Sequence, residues 1–146
     1  MKVRDVMTRA PTCCTPDTSL FVVAKLMVDC DCGAIPVVDL PEGKPIGMIT
    51  DRDIVTRAIA AGHDPMYMTA RECMTPSAIT VPEDASLRDC VELLELGQIR
   101  RAIVVDSLGR CSGIVTQADV ANHASRLLAG DLLRHVSKPA APAFAR

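Results

Sequence analysis

The stretch GMITDRDI at residues 47–54 returns almost unchanged as GIVTQADV at residues 113–120. A second pair of similar stretches, VMT at residues 6–8 and CMT at residues 73–75, is separated by nearly the same distance along the chain. A fixed period of this size indicates a duplicated supersecondary unit. The sequence therefore predicts two copies of one unit, packed face to face because a unit of about 60 residues has a poor core alone.

The period divides the chain into four segments and predicts the same element order, β-α-β-β-α, in both copies. The segments are repeat one at 3–60, a linker at 61–69, repeat two at 70–129, and a C-terminal helix end with a flexible tail at 130–146. The predicted strands are 13–15, 35–38 and 46–49 in repeat one, and 79–81, 102–105 and 111–115 in repeat two.

Helical spacing of apolar residues predicts the helices of both repeats. The first helices are expected to bury Leu20, Val23, Ala24 and Met27 in repeat one, and Leu87, Cys90, Val91 and Leu94 in repeat two. The closing helices are predicted at residues 51–59 and 117–128. The predicted fold class is α/β, of the α+β kind, with two pseudo-symmetric β-α-β-β-α repeats packed as one module.

Composition and charge exclude several classes of function. The net charge of −2 and an isoelectric point of about 5.9 give no basic surface for nucleic acid or an anionic membrane. The first residues lack the apolar core of a signal peptide, and the apolar run at 21–28 is broken by Lys25 and too short to span a bilayer. We expect a cytoplasmic protein with no nucleic-acid or membrane partner, which binds a small molecule or another protein.

The repeated stretch places a Thr and an Asp at the start of each closing helix. Thr50 and Asp53 in repeat one correspond to Thr116 and Asp119 in repeat two. A Thr hydroxyl beside free helix amides can bind an anion, and the carboxylate can accept hydrogen bonds from a ribose diol. Thr-x-x-Asp before an apolar helix is also a capping box. The spacing allows either role, and the two are compatible.

The closing motif of both copies is typical of a known protein family. It reads Gly-h-h-Thr-x-x-Asp, where h is apolar and x is any residue. Together with the VMT and CMT openings and the PVVD and IVVD strands, the two copies resemble a tandem cystathionine-β-synthase (CBS) domain pair, also called a Bateman module. The resemblance covers residues 3–129. It implies an adenine nucleotide bound between the repeats: AMP, ADP or ATP, with NAD as a further candidate.

The resemblance also implies which residues contact the nucleotide. The Asp of each closing motif would hold ribose hydroxyls and the Thr would contact ribose or phosphate, with Thr50 and Asp53 in one cleft and Thr116 and Asp119 in the other. The residues implied to face adenine are Ile79, Val81, Cys13 and Thr15, with Ala102 and Ile103 at the start of the following strand.

Arginines are the candidate phosphate contacts. Arg100 and Arg101 stand where the family often places a basic residue that contacts phosphate, although a solvated strand entrance also explains such a pair. Arg52, which follows Thr50 by two positions, is a weaker candidate because exposed arginines are common in a first helical turn. Repeat one has Gly33-Ala34 in place of the arginine pair, so we expect the cleft of Thr116 to hold the more anionic ligand.

Seven cysteines are many for a chain of this length, and their odd number favours reduced thiols over a disulfide framework. Cys13 aligns with Ile79, Cys73 with Val6 and Cys90 with Val23, which indicates core positions. No C-x₂-C pair occurs, so we expect no metal.

An alternative function is a structural or redox-responsive interaction module with vestigial clefts, in which Cys30 and Cys32 sense oxidation.

The sequence contains none of the common catalytic motifs that would indicate an enzyme. Metalloprotease, Walker A, dinucleotide-binding and nucleophile-elbow motifs are all missing from the 146 residues. These residues also leave no segment for a catalytic domain, so we expect regulation of a separate, unidentified protein. Surplus apolar residues on the helices predict a homodimer, namely Phe21, Val22 and Val28, and Leu127 with Leu128.

Overall fold

A computed structural model describes residues 1–123 and 126–139, and for residues 127–129 it describes only the backbone. The elements of repeat one are a 3₁₀ turn (Val3–Asp5), β1 (Thr8–Arg9), α1 (Leu20–Asp29), β2 (Ala34–Val38), β3 (Pro45–Thr50) and α2 (Asp51–Ile54), which continues as a π-helical stretch (Val55–Ile59). The remaining elements are a 3₁₀ turn in the linker (Pro65–Tyr67), α3 (Ala70–Cys73), β4 (Thr75–Pro76), β5 (Thr80–Pro82), α4 (Leu87–Gly97), β6 (Arg101–Val105), β7 (Cys111–Thr116), α5 (Gln117–His123) and α6 (Arg126–Val136).

The two long first helices start at equivalent serines. Ser19 accepts a hydrogen bond from the amide of Val22, and Ser86 accepts one from Asp89, which caps α1 and α4. All four predicted core positions of α4 are buried. In α1 the prediction for Ala24 was wrong, since Ala24 is exposed and Leu26 is half-buried against the core instead.

The C-terminal part differs from the predicted single helix at 117–128. α5 ends at His123 and α6 begins at Arg126, and residues 124 and 125 lie outside the described part. The predicted boundary at residue 130 falls inside α6, whose Leu132 and Val136 are buried in the core of repeat two. The side chains of Leu127 and Leu128 and the tail at 140–146 also lie outside the described residues.

The opening strands of the two repeats are exchanged. β1 of repeat one pairs antiparallel with β7 of repeat two, and β4 of repeat two pairs antiparallel with β3 of repeat one. The result is one sheet of order β1-β7-β6-β5 and another of order β2-β3-β4. The period in the sequence predicts two equal copies, but it does not predict this exchange.

The hydrophobic cores follow the same exchange. Val3 and Val6 are buried in the core of repeat two, while Ala70 and Cys73 are buried in the core of repeat one. A third buried cluster joins the repeats and contains Ala34, Met48 and Ile103. The two repeats therefore form one body, in which each core is completed by the opening segment of the other repeat.

The predicted first strand of repeat one is only a single bridge, in which Cys14 lies parallel to Val37. Its counterpart in repeat two is the pairing of Val81 with Val104 in the parallel β5–β6 ladder. The predicted alignment of Cys13 with Ile79 was therefore wrong by one residue, because Cys14 occupies the place of Val81.

Two glycines permit the close approach of the exchanged strands. A Cβ atom on Gly113 would lie 2.5 Å from Sδ of Met7 and 2.9 Å from the carbonyl oxygen of Thr8. A Cβ atom on Gly47 would lie 2.9 Å from Sδ of Met74 and 2.7 Å from the carbonyl oxygen of Thr75. Real Cβ atoms do not pack this closely, so a side chain at either position would push the opening strand away.

In the described part of the chain, no helix has both the length and the apolar character needed to cross a bilayer.

The first prediction concerns these glycine contacts. Gly113→Ala is expected to lower the free energy of unfolding by about 1–3 kcal/mol, because the new methyl group overpacks the contact with Met7 and Thr8. Gly130→Ala is the matched control, since no atom of the described residues lies within 4 Å of its Cβ position in α6, and alanine there is expected to be neutral or stabilising by up to about 1 kcal/mol. Urea denaturation measures both, and equal stability of the Gly113→Ala variant and the wild type would contradict the packing argument.

Candidate functional site

Two clefts lie between the repeats, with cavity volumes of about 310 and 290 Å³. We name them the Thr116 cleft and the Thr50 cleft. The Thr116 cleft is lined by Thr8, Arg9, Ala10, Pro11, Thr12, Cys30, Cys32, Ala34, Arg101, Ile114 and Thr116. The Thr50 cleft is lined by Met48, Thr50, Thr75, Ser77, Ala78, Ile79, Ile99, Arg100 and Arg101.

Seven positions of one lining correspond to seven positions of the other. The corresponding pairs are Thr8 with Thr75, Ala10 with Ser77, Pro11 with Ala78, Thr12 with Ile79, Cys32 with Ile99, Ile114 with Met48 and Thr116 with Thr50. Each cleft combines the opening segment of one repeat with the closing strand of the other. The strand exchange therefore creates both clefts.

The chain bends sharply where each opening strand enters its cleft. Ala10 and Ser77 occupy equivalent positions and have left-handed backbone angles, with φ of 45° and 52°. Few residues other than glycine adopt this conformation. Hydrogen bonds hold both bends, because the amide of Ala10 donates to Ser112 and the amide of Ser77 donates to Ile46. The cleft walls are thus formed by backbone that the sheet holds in place.

The Thr-x-x-Asp motif forms a capping box in both repeats. In repeat one the amide of Thr50 donates to Oδ2 of Asp53 at 2.9 Å, and the amide of Asp53 donates to the hydroxyl of Thr50 at 3.1 Å. In repeat two the equivalent bonds between Thr116 and Asp119 are 2.7 and 3.2 Å. The capping interpretation of the motif is therefore correct.

The capping bonds leave room for a ligand role. Thr50 and Thr116 line the clefts, whereas Asp53 and Asp119 are hydrogen-bonded to these threonines but are not part of either lining. The hydroxyl of Thr116 also donates to Oδ2 of Asp119 at 2.8 Å. Among the described residues, every hydrogen bond to the Asp119 carboxylate is accepted by Oδ2. The other oxygen, Oδ1, can therefore accept a hydrogen bond from a ligand.

Arginine side chains are distributed differently from the prediction. Arg101 lines both clefts, whereas Arg100 lines the Thr50 cleft, which contains the closing motif of the other repeat. Arg9, which sequence reasoning missed, lines the Thr116 cleft, and its guanidinium donates to the carbonyl oxygen of Arg4 at 2.9 Å. Two arginines line each cleft, so the number of arginines in the linings does not favour the Thr116 cleft as the site of the more anionic ligand.

Arg101 has no arginine as its counterpart. Arg101 pairs with Thr116 across the β6–β7 ladder, and the equivalent pair in the β2–β3 ladder is Ala34 with Thr50. Exact twofold symmetry between the repeats would place an arginine at both positions, but the chain has an arginine only in repeat two. Arg101 is the side chain that both clefts share within the described residues.

Several predicted contact residues do not reach a cleft. Val81 and Ala102 are buried in the core of repeat two, and Ile103 is buried between the repeats, so these side chains present no surface to a ligand. Ile79 does line the Thr50 cleft, because it precedes β5 and does not share the inward orientation of Val81.

The other predicted contacts also lie outside the two linings. Thr15 is half-buried and its hydroxyl is 3.1 Å from that of Thr18, in the turn before α1. Arg52 is exposed on α2. The sulfur of Cys13 is 3.8 Å from that of Cys111. Most of the lining residues that sequence reasoning missed belong to the opening segments, for which the repeated VMT and CMT stretches were the available signal.

All seven cysteines are free thiols. Cys30 and Cys32 line the Thr116 cleft, and Sγ of Cys30 is 3.2 Å from the hydroxyl of Thr12. Burial raises the pKa of Cys14 and of Cys90 to about 11, which keeps these core thiols protonated at neutral pH. Within residues 1–123 and 126–139, no group of three or more His, Cys, Asp or Glu residues is placed to hold a metal ion.

The model of one family, the CBS domain, matches the chain twice, at residues 3–59 and 70–126. The chain belongs to the CBS domain family. Its two matches form the tandem pair, or Bateman module, that the repeated motifs predicted. A curated relative is hypoxic response protein 1 of Mycobacterium tuberculosis, 39% identical over 120 residues that cover 82% of each chain.

Solved CBS pairs have the same fold. The crystal structure of Hypoxic Response Protein I with two coordinated zinc ions has a TM-score of 0.76 and 35% identity, covering 86% of this chain and 100% of that one. CBSX2 of Arabidopsis thaliana in complex with AMP has a TM-score of 0.70 and 27% identity, with coverage of 86% and 97%. The CBS pair of protein MJ0100 in complex with 5′-methylthioadenosine and S-adenosyl-L-methionine has a TM-score of 0.74 and 30% identity, with coverage of 84% and 98%.

Proposed function

We propose that this CBS pair is an adenine-nucleotide-binding regulatory module that catalyses no reaction and acts on a separate partner protein. The observation that carries the proposal is the pair of equivalent clefts, each of which combines a Thr of the closing motif with two arginines. The ligands named for two structural relatives, AMP in one and 5′-methylthioadenosine with S-adenosyl-L-methionine in the other, share an adenosine group. A nucleoside with or without phosphate is therefore the ligand class that we propose.

The cleft chemistry matches the parts of a nucleotide. Apolar side chains, such as Ile79 and Ile99 in the Thr50 cleft, offer a surface for a purine ring. The Thr hydroxyls and the free oxygen of Asp119 offer hydrogen bonds to ribose, and the guanidinium of Arg101 offers charge-assisted bonds to phosphate. The volumes of about 300 Å³ lie at the lower end for small-molecule sites.

The proposed regulation follows from the way the clefts are built. Because the walls of each cleft belong to both repeats, a bound nucleotide contacts both and favours the arrangement of the repeats that fits it best. A partner protein that binds one arrangement more tightly would then respond to the nucleotide.

The second prediction tests nucleotide binding by thermal shift with AMP, ADP, ATP, NAD and S-adenosylmethionine. A ligand at a hundred times its dissociation constant stabilises the folded state by about 2.7 kcal/mol, which should raise the Tm by several degrees. Asp119→Ala is expected to abolish the rise that comes from the Thr116 cleft, and Asp53→Ala the rise from the Thr50 cleft.

Both variants also lose a helix cap, which costs about 1 kcal/mol without any ligand. The readout is therefore the rise in Tm caused by the ligand, measured from the Tm of each variant alone. Folded, nucleotide-free protein that shows no rise with any of the five compounds would exclude the proposed function.

The third prediction assigns the arginines to their clefts by isothermal titration with AMP. Arg101→Ala is expected to weaken binding in both clefts by about 10- to 100-fold each, since a hydrogen bond to a charged group contributes about 1.5–3 kcal/mol. Arg100→Ala should weaken only the Thr50 cleft and Arg9→Ala only the Thr116 cleft, so each serves as the control for the other. Binding in the Thr116 cleft that is unchanged in Arg101→Ala would contradict the shared role.

The fourth prediction concerns the oligomeric state. Phe21 and Val28 on α1 and Val55 and Ile59 on the π-helical stretch that continues α2 are more than half exposed, and α1 contacts α2. We propose that a second copy covers this surface, so sedimentation at micromolar concentration should show a dimer. Val28→Lys should give a monomer, whereas Leu96→Lys, at an exposed position on α4, should not. A monomeric wild type would exclude the dimer.

A further inference from the structure

Two cysteines from different repeats meet at the edge of the strand exchange. Sγ of Cys13 lies 3.8 Å from Sγ of Cys111, although 98 positions separate the residues in the sequence. Both side chains are half-buried. Neither residue takes part in the nucleotide site described above, and the pair is distinct from Cys30 and Cys32 in the Thr116 cleft.

The pair continues the contact between the exchanged strands. Thr8 pairs with Ile114 and Arg9 with Gly113, and the amide of Ala10 donates to the carbonyl oxygen of Ser112 at 3.1 Å. Cys111 is the next residue of β7, and the opening segment reaches it again at Cys13. Backbone pairing on one side therefore holds the two sulfurs near each other.

The equivalent position on the other side of the molecule has no thiols. There the amide of Ser77 donates to Ile46 at 3.0 Å, which matches the bond of Ala10 with Ser112. The residues that correspond to Cys13 and Cys111 are Thr80 and Pro45. The fold therefore does not require a thiol pair at this position, and the chain carries it on one side only.

The electrostatic environment makes the two thiols unequal. The hydrogen bond with Cys111 lowers the pKa of Cys13, and burial opposes this effect. The same hydrogen bond, together with burial, raises the pKa of Cys111. A thiol with a lowered pKa is the better attacking group at neutral pH, which favours Cys13 as the attacking thiol and Cys111 as the resolving thiol.

We propose that Cys13 and Cys111 form a reversible intramolecular disulfide when the protein meets a low-molecular-weight disulfide such as oxidised glutathione. The thiolate of Cys13 attacks one sulfur of the oxidant, which releases one thiolate and leaves a mixed disulfide on Cys13. The thiolate of Cys111 then attacks Sγ of Cys13 and releases the second thiol. The two cysteines lose two electrons and two protons in total, and the oxidant becomes two thiols.

The geometry requires only a local change. Bonded sulfurs are about 2.05 Å apart, so the two atoms must approach by roughly 1.8 Å, which side-chain rotation can provide. The bridge would join the opening segment of repeat one to the closing strand of repeat two. It would also fix both ends of the short segment Ala10–Thr12, which lines the Thr116 cleft.

The fifth prediction tests the bridge by peptide mapping and does not depend on nucleotide binding. The full chain is incubated with oxidised glutathione, alkylated and digested with trypsin without reduction. The expected product is peptide 10–25 linked to peptide 111–126, which dithiothreitol separates. Because the bridge closes a long loop between the repeats, the oxidised protein should also melt about 5 °C or more above the reduced protein.

Three variants make the mapping specific. Cys13→Ser and Cys111→Ser should each abolish the linked peptides and the rise in Tm. Cys14→Ala should retain both, which excludes the neighbouring core thiol as the partner within peptide 10–25. If Cys30 becomes glutathionylated, which shows that the oxidant is active, while no linked pair of peptides 10–25 and 111–126 forms, the proposal is wrong.

Discussion

The reciprocal contact between the opening strand of each repeat and the glycine in the closing strand of the other is the constraint on which this molecule depends. Met7 and Thr8 lie against Gly113, and Met74 and Thr75 lie against Gly47, at distances that leave no space for a Cβ atom. This contact brings the opening segments into the opposite cores, where they bury Val3 and Ala70. Stability and the proposed ligand sites thus share a single structural origin, since the same segments form the cleft walls.

The period of the sequence was sufficient to predict the repeats, most of the helix cores and the fold class. It could not predict the exchange, because identical copies contain no information on whether an opening strand pairs within its own repeat or with the other. The errors in the assignment of arginines to clefts follow from that gap. Arg100 was assigned to the closing motif of its own repeat, yet it lines the Thr50 cleft.

The sequence also did not determine to a single residue where the short strands begin and which of their side chains are buried. The family resemblance implied that Ile79 and Val81 both face adenine, but β5 begins only at Thr80, so Ile79 lies in a cleft and Val81 in the core. The predicted strand at Cys13 fails for the same reason. This segment pairs with its neighbour through a single bridge at Cys14. A pattern of alternating buried and exposed residues cannot be recognised in so short a strand.

A symmetric scaffold makes its asymmetric positions informative. Fold constraints act equally on both halves, so a residue required by packing should recur, as Gly47 recurs at Gly113. Arg101 faces two clefts while Ala34 occupies the equivalent position, which places one positive charge within reach of two proposed anion sites. A nucleotide phosphate that draws this guanidinium into one cleft removes it from the other. If both clefts bind a nucleotide as proposed, this single side chain would couple them, and by linkage the coupling would act equally in both directions.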